Sequence, residues 1–227
     1  LVARSDIVSD SGNLKYDIQV TRDIEAKISE LKERLKTSKN VVVIGSSHQI
    51  EEGLLISAMQ DLKRIDQNVL FIVVPRHPER FSPFTALCQQ SNLQVVTRSS
   101  GEPVNDNHDV WVIDTLGELL ACNALADVCV VAGSFSDVGR HNPLEAALFA
   151  KPIIVGTNMK NFTEMHTKMQ LARGICQLDN NSELSQKILA LLNDTELANT
   201  IGQNGQQVVF ANQGATEQSV ATLMKLI

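Results

Sequence analysis

Arginine, histidine, asparagine and glutamate gather in short stretches that each follow a run of β-branched residues. In "GRHNPLEAA", residues 139–147, a glycine, two bases, an asparagine and a proline stand directly before a helix-forming run. Asn142 suits a helix N-cap, Pro143 the first helical position and Glu145 the third, a variant of the capping box. The same segment also suits an anion. The small residues of "GSFSDVGR", among them Gly133 and Ser134, leave backbone N–H groups accessible, and helix N-termini with free amides bind phosphate. Arg140 and His141 add positive character in the same place. Cap and cradle both remain open on these residues alone.

A second stretch, "VVPRHPER", puts Pro75, Arg76 and His77 at a strand end, with Pro75 and Pro78 stiffening the loop. A guanidinium fixed there can make bidentate contacts with a phosphate or carboxylate. The alternatives are an Arg76 that pairs with Glu79 or Glu118 and a His77 that only orders the loop. In "DTLGELL", Leu116 and Gly117 read as a turn with Glu118 near a helix start; a helix capped by Asp114 or Thr115 explains it equally well. "GSSHQIEE" offers Ser46, Ser47 and His48, whose hydroxyls and neighbouring amides could meet a sugar or a phosphate.

The simplest known chemistries are missing. There is no G-x-x-x-x-G-K-[ST], no G-x-G-x-x-G and no G-x-S-x-G elbow. The histidines are dispersed and pair with no carboxylate at ligand spacing, so no metal and no cofactor is expected.

Loops of this kind need a scaffold. Ile24, Ile28, Leu31 and Leu35 form the apolar stripe of a helix over about 22–37. "NVVVIGSS" is a continuously apolar, β-branched run, as expected of a strand covered on both faces. Helix and strand then alternate: a helix at about 49–65, strands at 68–74 and from 93, a helix at about 82–91, and strand "DVWVID". A short helix from Leu116, strand "DVCVVAG", a helix from Asn142, strand "PIIVG", a helix at about 160–171 and two or three closing helices complete the order. "SSGEPVNDNHD", 99–109, reads as a surface connection. Strict alternation implies an α/β fold, a Rossmann-like doubly wound parallel sheet, with ligands bound beyond the carboxyl ends of its strands. The chemistry-bearing stretches all fall at those ends.

With 227 residues the chain can bury a large core. Its net charge of −6 argues against a general nucleic-acid binder, so any anion must be bound locally. Cys88, Cys122, Cys129 and Cys176 are far apart, mostly inside apolar runs, and read as reduced core residues of a cytosolic protein. The opening "LVARSDIVSDSG" resembles neither a signal peptide nor a membrane span, and its leucine start suggests a piece of a longer chain.

"GNLKYDI" (12–18), "PRHPERF" (75–81), "DTLGEL" (114–119) and "GRHNPLEAA" (139–147), in that order, resemble the 3-deoxy-D-manno-octulosonic acid (Kdo) transferases of lipopolysaccharide assembly. The likeness runs from about Gly12 to Leu171 and implies the C-terminal half of a two-domain GT-B glycosyltransferase. Residues 1–20 would be the interdomain linker and the start of the domain, and 21–227 the donor-binding domain. The implied reaction moves Kdo from CMP-Kdo to a lipid A precursor, with inversion and without metal, at the cytoplasmic face of the bacterial inner membrane. The catalytic base, the acceptor surface and any membrane contact would belong to the N-terminal half. By motif, Pro75 and Arg76, the Leu116–Gly117–Glu118 turn, and Asn142, Pro143, Leu144 and Glu145 would contact CMP. The helix start would take the phosphate and Glu145 the ribose hydroxyls. Lys15 of "GNLK" would stabilise charge on the departing phosphate. Ser46, His48, His77, Gly133, Ser134, Arg140 and His141 are further candidates. Three departures from the family pattern, Arg140, Ala146 and Leu116, bear on loop conformation. The rival readings are another GT-B enzyme or epimerase using a uridine nucleotide sugar, and a noncatalytic nucleotide-binding module.

Overall fold

The structure, a computed structural model, describes residues 12–137, 142–159 and 163–224. Helix α1 (Arg22–Arg34) shows how local sequence starts and stops an element. The Thr21 side chain accepts the Ile24 N–H, Asp23 and Glu25 occupy the first turn, and Lys32 and Arg34 occupy the last, in accord with the helix dipole. It ends three residues before the expected Thr37. Leu35 and Lys36 form the short strand β1 instead, paired in parallel with β5 (Val104–Asn105). The segment expected to be a surface connection thus contributes a strand and the fully buried Val104.

The main sheet contains β2 (Asn40–Ser47), β3 (Val69–Pro75), β4 (Val95–Thr97), β6 (Val110–Val112), β7 (Val128–Val131), β8 (Ile153–Val155) and β9 (Cys176–Gln177). Their order is β4-β6-β3-β2-β7-β8-β9, and every pairing is parallel. The crossovers are α2 (Glu52–Ile65), α3 (Phe81–Gln90), α4 (Leu119–Leu125), α5 (Leu144–Ala147) and α6 (Thr163–Leu171). Three helices, α7 (Leu184–Asn193), α8 (Thr195–Ala211) and α9 (Ala215–Met224), close the described chain.

Alternation along β2 explains the two apolar layers. Val41 and Val43 face a core completed by Leu31 of α1, Cys122 of α4, Leu144 of α5, Met169 of α6 and Val209 of α8. Val42 and Ile44 face the other, with Leu55 and Met59 of α2, Phe84 of α3 and Ile188 of α7. A strand covered on both sides has no polar face, which is why these runs are uninterrupted. Cys88, Cys122 and Cys129 are buried in these layers, and burial pushes the Cys88 and Cys129 thiols up to about 12. They pack as small apolar groups.

The segment before α1 is also part of the body. Tyr16 is 1% exposed within the first core, and the Asp17 carboxylate accepts the backbone N–H groups of Gly214 and Thr216 at the start of α9. The packed domain therefore includes Tyr16 and Asp17, from the stretch read as linker and start of the domain.

Candidate functional site

Chain order reverses direction between β2 and β7. After β2 the chain builds the sheet outward through β3, β6 and β4, and then returns to the other side of β2 with β7. Diverging connections at such a switch point leave a crevice above the carboxyl ends of the strands. Two cavities meet there, of about 220 and 310 Å3, sharing Ser46, Arg76, Leu119 and Glu145. The inner one reaches Asn123, Cys129 and Val131 and includes Asn142; the wider one opens past Pro75, Thr115, Leu116, Gly117 and Ile18.

Ser46 enters the crevice because β2 is irregular. Gly45 pairs with Val74 and Ser47 with Pro75, so Ser46 is an extra residue, at φ 60. A non-glycine residue in the left-handed region inside a bulge is an unusual conformation at a ligand-facing strand end. A Cβ at Gly45 beside it would lie 2.8 Å from Leu119 Cδ1, so a side chain there would make Leu119 shift.

Arg76 follows β3 and is exposed, its backbone N–H donated to the Ser47 carbonyl at 3.0 Å. Its loop is anchored by Arg80, whose Nε donates to Glu52 Oε1 at 2.9 Å and whose Nη2 donates to Oε2 at 2.5 Å. Glu52 is 2% exposed, so this two-pronged pair sits at the base of the loop and leaves Arg76 to point away from it. The guanidinium of Arg76 has no hydrogen bond or ion pair among the described residues, so neither Glu79 nor Glu118 is its partner.

Glu145, on α5, is half-buried and likewise has no hydrogen-bond partner among the described residues. Burial pushes its carboxyl above the ordinary range, partly opposed by the positive charge of Arg76. A desolvated acceptor facing a cavity is completed only by donors from a ligand or from water. The helix itself is a single turn. Asn142 Oδ1 accepts the Leu144 N–H at 3.1 Å and Pro143 is already helical, at φ −73 and ψ −13. That amide is therefore satisfied from within, and four residues sum to a weak dipole. The capping half of the sequence reading is formed at Asn142, which takes one amide of the helix start.

The 115–118 turn differs from expectation too. Helix α4 begins at Leu119, not Leu116, and Gly117 adopts φ 75. Glu118 is 8% exposed and does not line either cavity; its Oε2 accepts from Arg98 Nε at 3.0 Å. Asp114 does not cap the helix but accepts the Ser99 backbone N–H at 2.8 Å. What faces the cavity is Thr115, Leu116 and Gly117, with Leu116 69% exposed and the Thr115 hydroxyl buried without a partner among the described residues.

Other expected residues fall outside the crevice lining. The Gly133 and Phe135 amides, expected to be free, are taken by Glu51, a carboxylate 2% exposed that accepts them at 2.5 and 2.9 Å. Ser134 is satisfied internally, donating to the Val131 carbonyl and accepting from the Gly156 N–H. His48 and His77 stack edge to face with centroids 5.3 Å apart, and burial, reinforced by His77 and Arg76, pushes the His48 imidazole down. Lys15 is exposed, in a 3-10 turn before Ile18, and lines neither cavity. Arg140 and His141 lie outside the described residues. Glu51, Glu52, Arg80, Arg98, Asn123 and Lys27, whose Nζ donates to the Gly117 carbonyl at 3.0 Å, escaped the sequence reading. Only their contacts with distant residues reveal them.

No protein-family model matches the chain. A curated 3-deoxy-D-manno-octulosonic acid transferase of Haemophilus influenzae is 31% identical over 209 residues, which cover 92% of this chain and 49% of that protein. The chain thus spans about half the length of the curated relatives it matches. The C-terminal CMP-Kdo binding domain of WaaA from Acinetobacter baumannii superposes with a TM-score of 0.75 at 29% identity, covering 82% of this chain and 98% of that one. Sucrose-phosphate synthase of Thermosynechococcus elongatus shares the fold at a TM-score of 0.63, with 17% identity over 95% of this chain and 50% of its own. The parallel sheet, its switch-point crevice and these likenesses agree: the chain has the α/β architecture of a GT-B C-terminal domain and is similar over most of its length to 3-deoxy-D-manno-octulosonic acid transferases.

Proposed function

We propose that the chain is the donor-binding half of a Kdo transferase, holding CMP-Kdo in the switch-point crevice for transfer to a lipid A precursor. The observation that carries this reading is one pair of side chains. Neither the Arg76 guanidinium nor the Glu145 carboxylate has a hydrogen bond among the described residues, and both line the same two cavities, near enough for the charge of Arg76 to act on Glu145. A nucleoside monophosphate supplies what each lacks. Its phosphate accepts a charge-assisted, two-pronged contact from the guanidinium, and its ribose hydroxyls donate to the desolvated carboxylate. The base would then lie along Thr115–Gly117, against the exposed face of Leu116.

The chemistry follows from the donor. Breaking the bond from the anomeric carbon to the phosphate leaves negative charge on CMP, which fixed positive groups stabilise in the transition state without protonating the leaving oxygen. Arg76 is placed for this, and Lys15 would join if the two halves of the full-length protein close over the crevice. Attack by the acceptor hydroxyl from the opposite face inverts the anomeric carbon, and the base that takes its proton would come from the other half, as would the acceptor surface and any contact with the inner membrane. Metal is not required in this scheme. The isolated chain is accordingly expected to bind CMP and CMP-Kdo and to transfer nothing.

Titration calorimetry with CMP, UMP and UDP tests the reading. CMP should bind and the uridine nucleotides should compete poorly; preference for UDP would favour a uridine nucleotide sugar, and no heat with any of them would reject the crevice as a nucleotide site. Glu145→Gln is expected to weaken CMP about fivefold, the worth of roughly one hydrogen bond, while leaving inorganic phosphate binding unchanged. Equal loss for both ligands would remove Glu145 from the ribose.

A further inference from the structure

Two residues of α1, Lys27 and Glu30, stand one turn apart on the same helix face and both reach toward the turn that lines the wider cavity. Lys27 Nζ donates to the Gly117 carbonyl at 3.0 Å. Glu30 Oε1 accepts from Arg98 Nη2 at 2.5 Å, and Arg98 Nε donates onward to Glu118 Oε2 at 3.0 Å. The side chains of Arg98 and Glu118 are 11% and 10% exposed. The turn is therefore tied to α1 at two consecutive residues, once through its backbone and once through a mostly buried ion pair. Asp114 ties its other end to the Ser99 amide.

We propose that Arg98 and Lys27 are positioning residues that set the Thr115–Gly117 backbone and Leu116 against the base of a bound pyrimidine nucleotide. This inference rests on the donor reading of the crevice and adds to it the groups that shape its base end. The physical case is that, among the described residues, the side-chain hydrogen bonds to residues 115–118 come from Lys27 and Arg98. Gly117 sits in the left-handed region, Leu116 is largely exposed, and Glu118 carries a carboxylate that cannot stay buried alone. Without Arg98 the Glu118 carboxylate turns toward water and takes Gly117 and Leu116 with it. Without Lys27 the Gly117 carbonyl loses its donor and the peptide is free to rotate. Neither residue lines the cavities, so neither touches the ligand.

The test compares CMP with ribose 5-phosphate, which shares the phosphate and sugar but has no base, on the chain itself and on Arg98→Ala and Lys27→Met. CMP affinity is read by calorimetry, ribose 5-phosphate by displacement of CMP, and folding by circular dichroism. Lys27 is partly exposed, so its variant keeps the test alive if Arg98→Ala fails to fold. The expected result is that CMP binds roughly tenfold more weakly to the variants as the base contact is lost, about 1.4 kcal/mol, while ribose 5-phosphate changes less than about twofold. Equal weakening of both ligands, or an unchanged affinity for CMP, overturns the proposal. A wild-type chain that binds ribose 5-phosphate as well as CMP overturns it too, because there would be no base contact to position. A wild-type chain that binds neither rejects the donor reading itself, and the proposal falls with it.

Discussion

Arg76→Ala is expected to weaken CMP binding to this chain by about ten- to a hundredfold while leaving the melting temperature unchanged. The size follows from losing a charged hydrogen bond to phosphate, roughly 1.5–3 kcal/mol. The unchanged stability follows from the structure: the side chain is exposed and bonded to no described residue, and the loop is held by Arg80 and Glu52 instead. Calorimetry and a thermal melt on the same samples separate the two effects. Lost affinity with a lowered melting temperature would mean that Arg76 holds the loop together; retained affinity would place the phosphate elsewhere.

Glu51→Ala should do the reverse, costing about 3 kcal/mol of stability. The substitution leaves the buried amides of Gly133 and Phe135 without their acceptor and opens a cavity between α2 and the loop after β7. For a domain of this size that lowers the melting temperature by roughly 6–12 °C. The effect also depends on pH. Burial pushes the Glu51 carboxyl above its ordinary value, against the lowering by the two amides. A carboxyl that binds its proton more tightly folded than unfolded stabilises the fold fully below its unfolded value and loses that contribution as pH rises through the folded one. The stability gap between wild type and Glu51→Ala should thus narrow from acid pH toward neutrality. A gap that widens would show that the amides, and not burial, dominate the carboxyl.

The contrast between these residues explains how far the sequence could be read. Strands such as Val41–Ile44 and Leu70–Val74 were legible because burial on both faces leaves an unbroken apolar run, and their order located the strand-end loops in advance. Arg76 stood out as a charged residue directly after a buried strand, whereas Glu145 stood out only as part of a capping pattern and of the motif resemblance. Glu51, Glu52, Lys27 and Arg98 look like ordinary surface charges in sequence. Their partners lie 82, 28, 90 and 20 residues away, and only the folded chain brings them together. Glu118 and Gly133 show the same cause: a residue beside a ligand crevice can face inward, and its orientation is decided by a distant partner, here Arg98 and Glu51.

The irregular part was also the part hardest to foresee. A bulge at Ser46, the positive φ of Gly117 and a one-turn helix at Leu144 follow no repeating pattern, so periodicity carries no signal for them. They are the features that shape the crevice.

A crystal structure of this chain soaked with CMP tests the central claim most directly. The account predicts the phosphate within hydrogen-bond distance of the Arg76 guanidinium, the ribose hydroxyls on Glu145 and the base beside Leu116 and Gly117. Nucleotide density at any other surface, with Arg76 and Glu145 still unpartnered, would contradict it.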